Sequence, residues 1–140
     1  MRTWIVPVDP DALVAAFLDH FADDSSVFVE GEIAASEFPD SSRRASVVVP
    51  HVGREAPDAT HFVVLTLSPQ TASHVTRVLL REGRLTSDVA ALQIVHGGIV
   101  RFLAGDNFHH ECVSVEGVSP EFLSSLFELG VAKPLRPAPN

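Results

Sequence analysis

Residues 106–112 (Asp106-Asn107-Phe108-His109-His110-Glu111-Cys112) place two carboxylates, two adjacent imidazoles and the chain's only cysteine beside a turn. Such groups bind a divalent metal or move protons near neutral pH. If 108–112 is extended, His109 and Glu111 face one way while His110 and Cys112 face the other. Adjacent histidines then do not share an ion easily. The best metal triplet is Asp106, His109 and Glu111. The acid–base reading uses these residues with His96 or His110 assisting. Cys112 as a nucleophile needs a base such as His109 or His110 within reach. Its neighbours Val113, Ser114 and Val115 instead read as a strand, where cysteine behaves as a small apolar side chain.

No ligand pattern is complete. His109-His110-Glu111 carries the H-x-E of zinc deaminases without the P-C-x-x-C half. H-E-x-x-H is missing because Ser114 stands where its second histidine would fall. His20, His51, His61, His74 and His96 are scattered, and a site would need His61, His96 and His109 to converge at one end of a sheet. There is no P-loop, dinucleotide fingerprint, G-x-S-x-G elbow or EF-hand loop. The Ser68-Pro69 helix start could hold an anion, but an ordinary N-cap explains it. Arg43-Arg44 has nearby partners in Glu37 and Asp40.

Charge gives the stronger signal. The 140 residues carry a formal net charge of -8. Residues 1–41 hold nine acids and one base, which alone equals that total (1 − 9 = -8). The middle of the chain is basic. A surface of this kind disfavours nucleic acid and anionic membrane, both of which need clustered Lys and Arg. It suits a basic protein partner, steered by long-range attraction to Asp19, Asp23, Asp24, Glu30 and Glu32. No apolar run is long enough to span a bilayer, and the first residues lack a signal-peptide pattern. A single cysteine permits no internal disulfide and is compatible with the cytoplasm. One Lys against nine Arg suggests a GC-rich bacterial source.

The elements that must position these groups are legible in the proline and glycine punctuation. Asp9-Pro10, Ser68-Pro69 and Ser119-Pro120 each set a capping side chain before a proline, which loses nothing at the first helical position. Apolar stripes follow at helical spacing, with Gly83 and Gly130 as stops after the second and third helices. Trp4–Val6, Val27–Ile33, Ala45–Val49, Phe62–Leu67, Leu92–His96, Ile99–Leu103 and Cys112–Val115 read as strands. Trp4–Val6 suits an edge, and Phe62–Leu67, apolar on both faces, a central position. Gly97-Gly98 predicts a type I′ hairpin. The order β-α-β-β-β-α-β-β-β-α predicts an α+β fold. It has a largely antiparallel or mixed sheet of about five to seven strands, with three helices on one face. Residues 1–133 form a single domain, and 134–140 a Pro-rich tail.

Two functional classes follow. The first is an acidic protein-binding module, immunity- or adaptor-like, needing no cofactor. In size and charge alone the chain is similar to small acidic bacterial proteins that neutralise or escort basic enzymes, such as the immunity proteins of toxin systems. The second is a small enzyme, metal-assisted or acid–base, built on Asp106, His109 and Glu111. The missing catalytic motifs weigh toward the first. A homo-oligomer joined through a sheet edge or the Phe122-Leu123-Leu126-Phe127 stripe is a third use of the same surface, with core packing the plainer role of that stripe.

Overall fold

A computed structural model describes residues 2–38, 43–50, 59–109 and 111–135, with the backbone alone for residues 35, 43–50 and 59–61. Eight strands are present: β1 (Arg2–Pro7), β2 (Ser25–Gly31), β3 (Arg43–Pro50), β4 (Ala59–Leu67), β5 (Val89–His96), β6 (Ile99–Ala104), β7 (Val113–Glu116) and β8 (Ala132–Pro134). They form one sheet in the order β3-β4-β2-β5-β6-β7-β1-β8. Every neighbouring pair is antiparallel. The helices are α1 (Pro10–His20), α2 (Ala72–Leu79), the single turn α3 (Arg84–Ser87) and α4 (Pro120–Glu128). The fold is α+β, as the pattern of elements predicts.

Two of the three proline starts form as expected. The Asp9 carboxylate accepts from the Ala12 amide at 3.1 Å, and the Ser119 hydroxyl accepts from the Phe122 amide at 3.1 Å. Ser68-Pro69 behaves differently. The second helix begins only at Ala72, because Thr71 is tied backward: its hydroxyl donates to the Thr66 carbonyl at 2.9 Å and accepts from the Ser68 amide at 3.0 Å. Ser68 therefore opens a turn before the helix. Gly83 takes the left-handed conformation expected of a stop, but it opens α3 rather than closing α2. The Gly97-Gly98 hairpin has positive φ at both residues, 61° and 77°.

Side chains alternate along each strand, so one face of the sheet meets the helices. Val27, Val29, Val63, Leu65, Leu92, Ile94, Phe102, Val113 and Ile5 are fully buried there, under Leu13, Val14, Phe17 and Leu18 of α1. Phe17 sits at the centre, with its ring 4.8 Å from that of Phe102 and 5.2 Å from that of Phe122. Burying one such ring contributes about 2–3 kcal/mol. The α4 stripe is spent on this core: Leu126 is buried, and Phe122, Leu123 and Phe127 pack against it. The other face carries Ser26, Phe28 and Glu30 of β2, Phe62 and Val64 of β4, Gln93 and Val95 of β5, Leu103 of β6 and Trp4 of β1, which alternate with the buried set.

β1 is not an edge strand. It lies between β7 and β8, and Pro134, expected to begin a tail, is the last residue of β8. Proline is tolerated there because β8 is an outer strand. β4 and β5 run in the same direction on either side of β2, so the chain from β4 through α2 and α3 to β5 crosses over β2. His51, His110 and residues 136–140 lie outside the described residues. No helix among the described residues is long and apolar enough to cross a membrane.

Candidate functional site

The 105–112 segment is a closed loop between β6 and β7, not an extended strand. Gly105 donates its amide to the Cys112 carbonyl at 3.0 Å, and the Cys112 amide donates to the His109 carbonyl at 2.8 Å. Asp106, Asn107 and Phe108 all have positive φ (48°, 55° and 64°), a conformation unfavourable for side chains other than Asn and Asp. Two anchors hold it. Phe108 is buried against Phe102, and the Asn107 side-chain amide donates to the Val89 carbonyl at 3.1 Å. Asp106, His109 and Glu111 are exposed on its outside. The His109 Nδ1 accepts from the Glu111 amide at 3.3 Å, which occupies one of the two nitrogens a metal could use. Among the described residues, no three His, Cys, Asp or Glu side chains are grouped closely enough to hold a metal ion. The face-by-face pairing expected of an extended 108–112 is lost because the loop turns at His109. Cys112 lies just outside β7 and is half-buried.

Of the histidines expected to meet at one end of the sheet, His96 lies at the opposite end from His61 and the His109 loop. Along β2, His96 pairs opposite Ser25 at one end and His61 opposite Gly31 at the other. The His109 loop reaches β5 at Val89, also the Gly31 end. His96 Nδ1 lies 2.9 Å from the Ser25 hydroxyl. That hydroxyl already donates its one proton to the Phe21 carbonyl at 2.6 Å. The imidazole is therefore the donor to Ser25, so it cannot act as a base toward that hydroxyl. His20 stacks on Phe122 with ring centres 3.9 Å apart.

The strongest charge interaction joins residues far apart in sequence. The Arg84 guanidinium donates to both oxygens of Glu37, at 2.7 and 2.6 Å. Glu37 also accepts from the Ala34 amide at 2.9 Å, and Arg81 stands 3.6 Å away. The hydrogen bond from Arg84 holds the Glu37 carboxyl below its ordinary range, against the effect of its burial, and Glu37 in turn raises Arg84. The pair fastens the 3-10 turn Ala35–Glu37 to α3. The expected pairing of Arg43-Arg44 with Glu37 or Asp40 falls on side chains outside those described.

The five acids expected to form one docking patch fall into two groups. Asp19, Asp23 and Asp24 are exposed at the end of α1 and in the turn before β2, while Glu30 is the next-to-last residue of β2 and Glu32 lies just past its far end. A strand of this length separates them by about 20 Å. The first group adjoins a groove of about 530 Å3 between α1 and α2. Ala15, Asp19 and Ala22 line one wall, and Pro69, Ala72, Ser73 and Thr76 the other. Their small side chains leave the space between the helices unfilled. Among them the sequence marks Asp19 as charge and Pro69 as a helix start, while facing alanines on separate helices leave no local pattern. No family model, curated protein or solved structure matches the chain.

Proposed function

We propose that the chain is a protein-docking module, immunity- or adaptor-like, that receives a basic segment of a partner in the α1–α2 groove. The observation that carries this reading is the groove itself: an open slot with small, mostly apolar walls and a carboxylate, Asp19, in its lining. A Lys or Arg side chain has the matching form, an apolar stem that packs along small residues and a cationic head that seeks an anion. Asp23 and Asp24 follow directly in the chain and extend the negative surface beyond the slot. The net charge of -8 adds a longer-range attraction that raises the encounter rate with a basic partner and disfavours nucleic acid and membrane. The module acts in the cytoplasm on this reading, in keeping with a single unpaired cysteine.

The test is a combined Asp19→Asn, Asp23→Asn, Asp24→Asn variant, compared with wild type in capture from cell lysate across a salt gradient. Wild type is expected to retain a basic protein that elutes at moderate salt, and the variant to bind it at least about tenfold more weakly with a flatter salt dependence. A Ser73→Trp variant, which fills the groove without changing charge, should weaken the same partner. Equal retention and equal salt dependence in all three proteins would refute the reading.

A further inference from the structure

The helix-free face of the sheet is mostly apolar at its centre, with Gln93 the polar exception between Phe28 and Leu103. Phe28, Phe62, Val64, Val95 and Leu103 occupy outward positions on four adjacent strands, and Trp4 extends the surface across β1. Phe28 and Phe62 are in ring contact with each other, and neither belongs to the hydrophobic residues packed on the helix-side core. Trp4 is 46% exposed, unusual for the largest apolar side chain. A one-sided antiparallel sheet in water normally sets polar residues on its open face.

We propose that this face joins two copies of the chain, packed sheet on sheet. Charge argues for a second copy over other occupants. The chain carries -8, so two copies repel through most of their surfaces. The charged side chains described on this face, Arg2 and Lys133 against Glu30 and Glu116, sum to zero, and Arg2 is already 3.6 Å from Glu116. A neutral patch on an acidic molecule is where a second acidic molecule can approach, and a two-fold axis requires a self-complementary surface. The area also fits. Six strands at ~4.8 Å spacing, with three outward residues each at ~6.7 Å except two on β7, give about 550 Å2 in projection. Two such faces together bury about 1,100 Å2, just above the ~1,000 Å2 that a specific interface needs. The α1–α2 groove lies on the helix side, so a dimer leaves both grooves open.

Trp4 is the chain's only tryptophan, and tyrosine is absent, so its emission reports this face alone. The experiment is sedimentation velocity with Trp4 fluorescence, from about 1 to about 100 μM. Wild type is expected to reach twice the 15.1 kDa chain mass, with Trp4 emission moving to shorter wavelength as the dimer forms. Val95→Glu buries a charge within the contact, and Trp4→Ser removes its largest apolar group. Each should weaken the dimer at least about tenfold with unchanged circular dichroism. Wild type that stays monomeric with unchanged emission would overturn the proposal, whatever else binds the face. So would a dimer that survives both substitutions. If Val95→Glu fails to fold, Trp4→Ser and the wild-type emission decide.

Discussion

Glu37→Gln tests the ion pair that fastens the 3-10 turn to α3. The substitution keeps the size and one oxygen acceptor but removes the charge facing Arg84. Arg84 is almost fully buried, with a side-chain exposure of 9%, and its Nε has no hydrogen-bond partner among the described residues. Removing one member of a buried pair costs about 3–5 kcal/mol. Here the figure is smaller, because the Glu37 side chain is 28% exposed and Asp88 stands 3.6 Å from Arg84. About 2 kcal/mol is expected at pH 7, a fall in Tm of roughly 6–8 °C for a chain of this size. The pH dependence carries the sharper signature. The folded carboxyl titrates below its unfolded value of 4.5, so its contribution is complete above that pH and is lost as pH falls through the folded value. Asp11 has the opposite sign: burial, then Asp9, raises its carboxyl, so its contribution is present at low pH and lost as pH rises. The difference between wild type and Glu37→Gln cancels Asp11 and isolates Glu37. Urea unfolding of both proteins between pH 3 and 7 measures it. A difference below about 0.5 kcal/mol at pH 7, the size of an ordinary surface substitution, would refute the argument. So would a difference that does not shrink in acid.

Two further outcomes follow from backbone geometry. Gly31 has φ of 156° at the bulge that ends β2, and a Cβ there would fall on the Asp88 carbonyl oxygen, so Gly31→Ala should destabilise by about 3 kcal/mol or more in urea unfolding. Asn107→Ala removes both a side chain that tolerates the left-handed region and the hydrogen bond to Val89. A loss of about 1–2 kcal/mol is expected, with faster amide exchange confined to residues 105–112.

The sequence announces what is encoded locally and is silent on what depends on distance. Asp9-Pro10 and Ser119-Pro120 cap helices because the cap is a three-residue event. Ser68-Pro69 looks the same, yet the hydroxyl that decides the matter is that of Thr71, held by a strand residue. Gly97-Gly98 is legible because two positive φ values in sequence admit few other turns. β8 is not, since three residues ending in proline carry no strand pattern until β1 is beside them. For the candidate site, Asp19 was visible as charge, but the groove required two helices to bring alanines face to face. The 105–112 cluster is legible as composition but not as geometry: the alternation that would pair His109 with Glu111 presumes an extended chain, and the hydrogen bond from the Cys112 amide to the His109 carbonyl marks a turn instead. Glu37 and Arg84 belong to separate elements, and no local pattern could have matched them.

The position of β1 carries a consequence for how the molecule is made. Arg2 pairs with Glu116, and Ile5 pairs with both Val113 and Pro134. β1 thus waits for partners synthesised about 110 residues later, while β2 and β4 can already pair. Through that interval Trp4 and Ile5 remain without their sheet neighbours. Such wide separation between paired segments slows folding. The nascent chain would present this apolar segment to chaperones until β7 emerges.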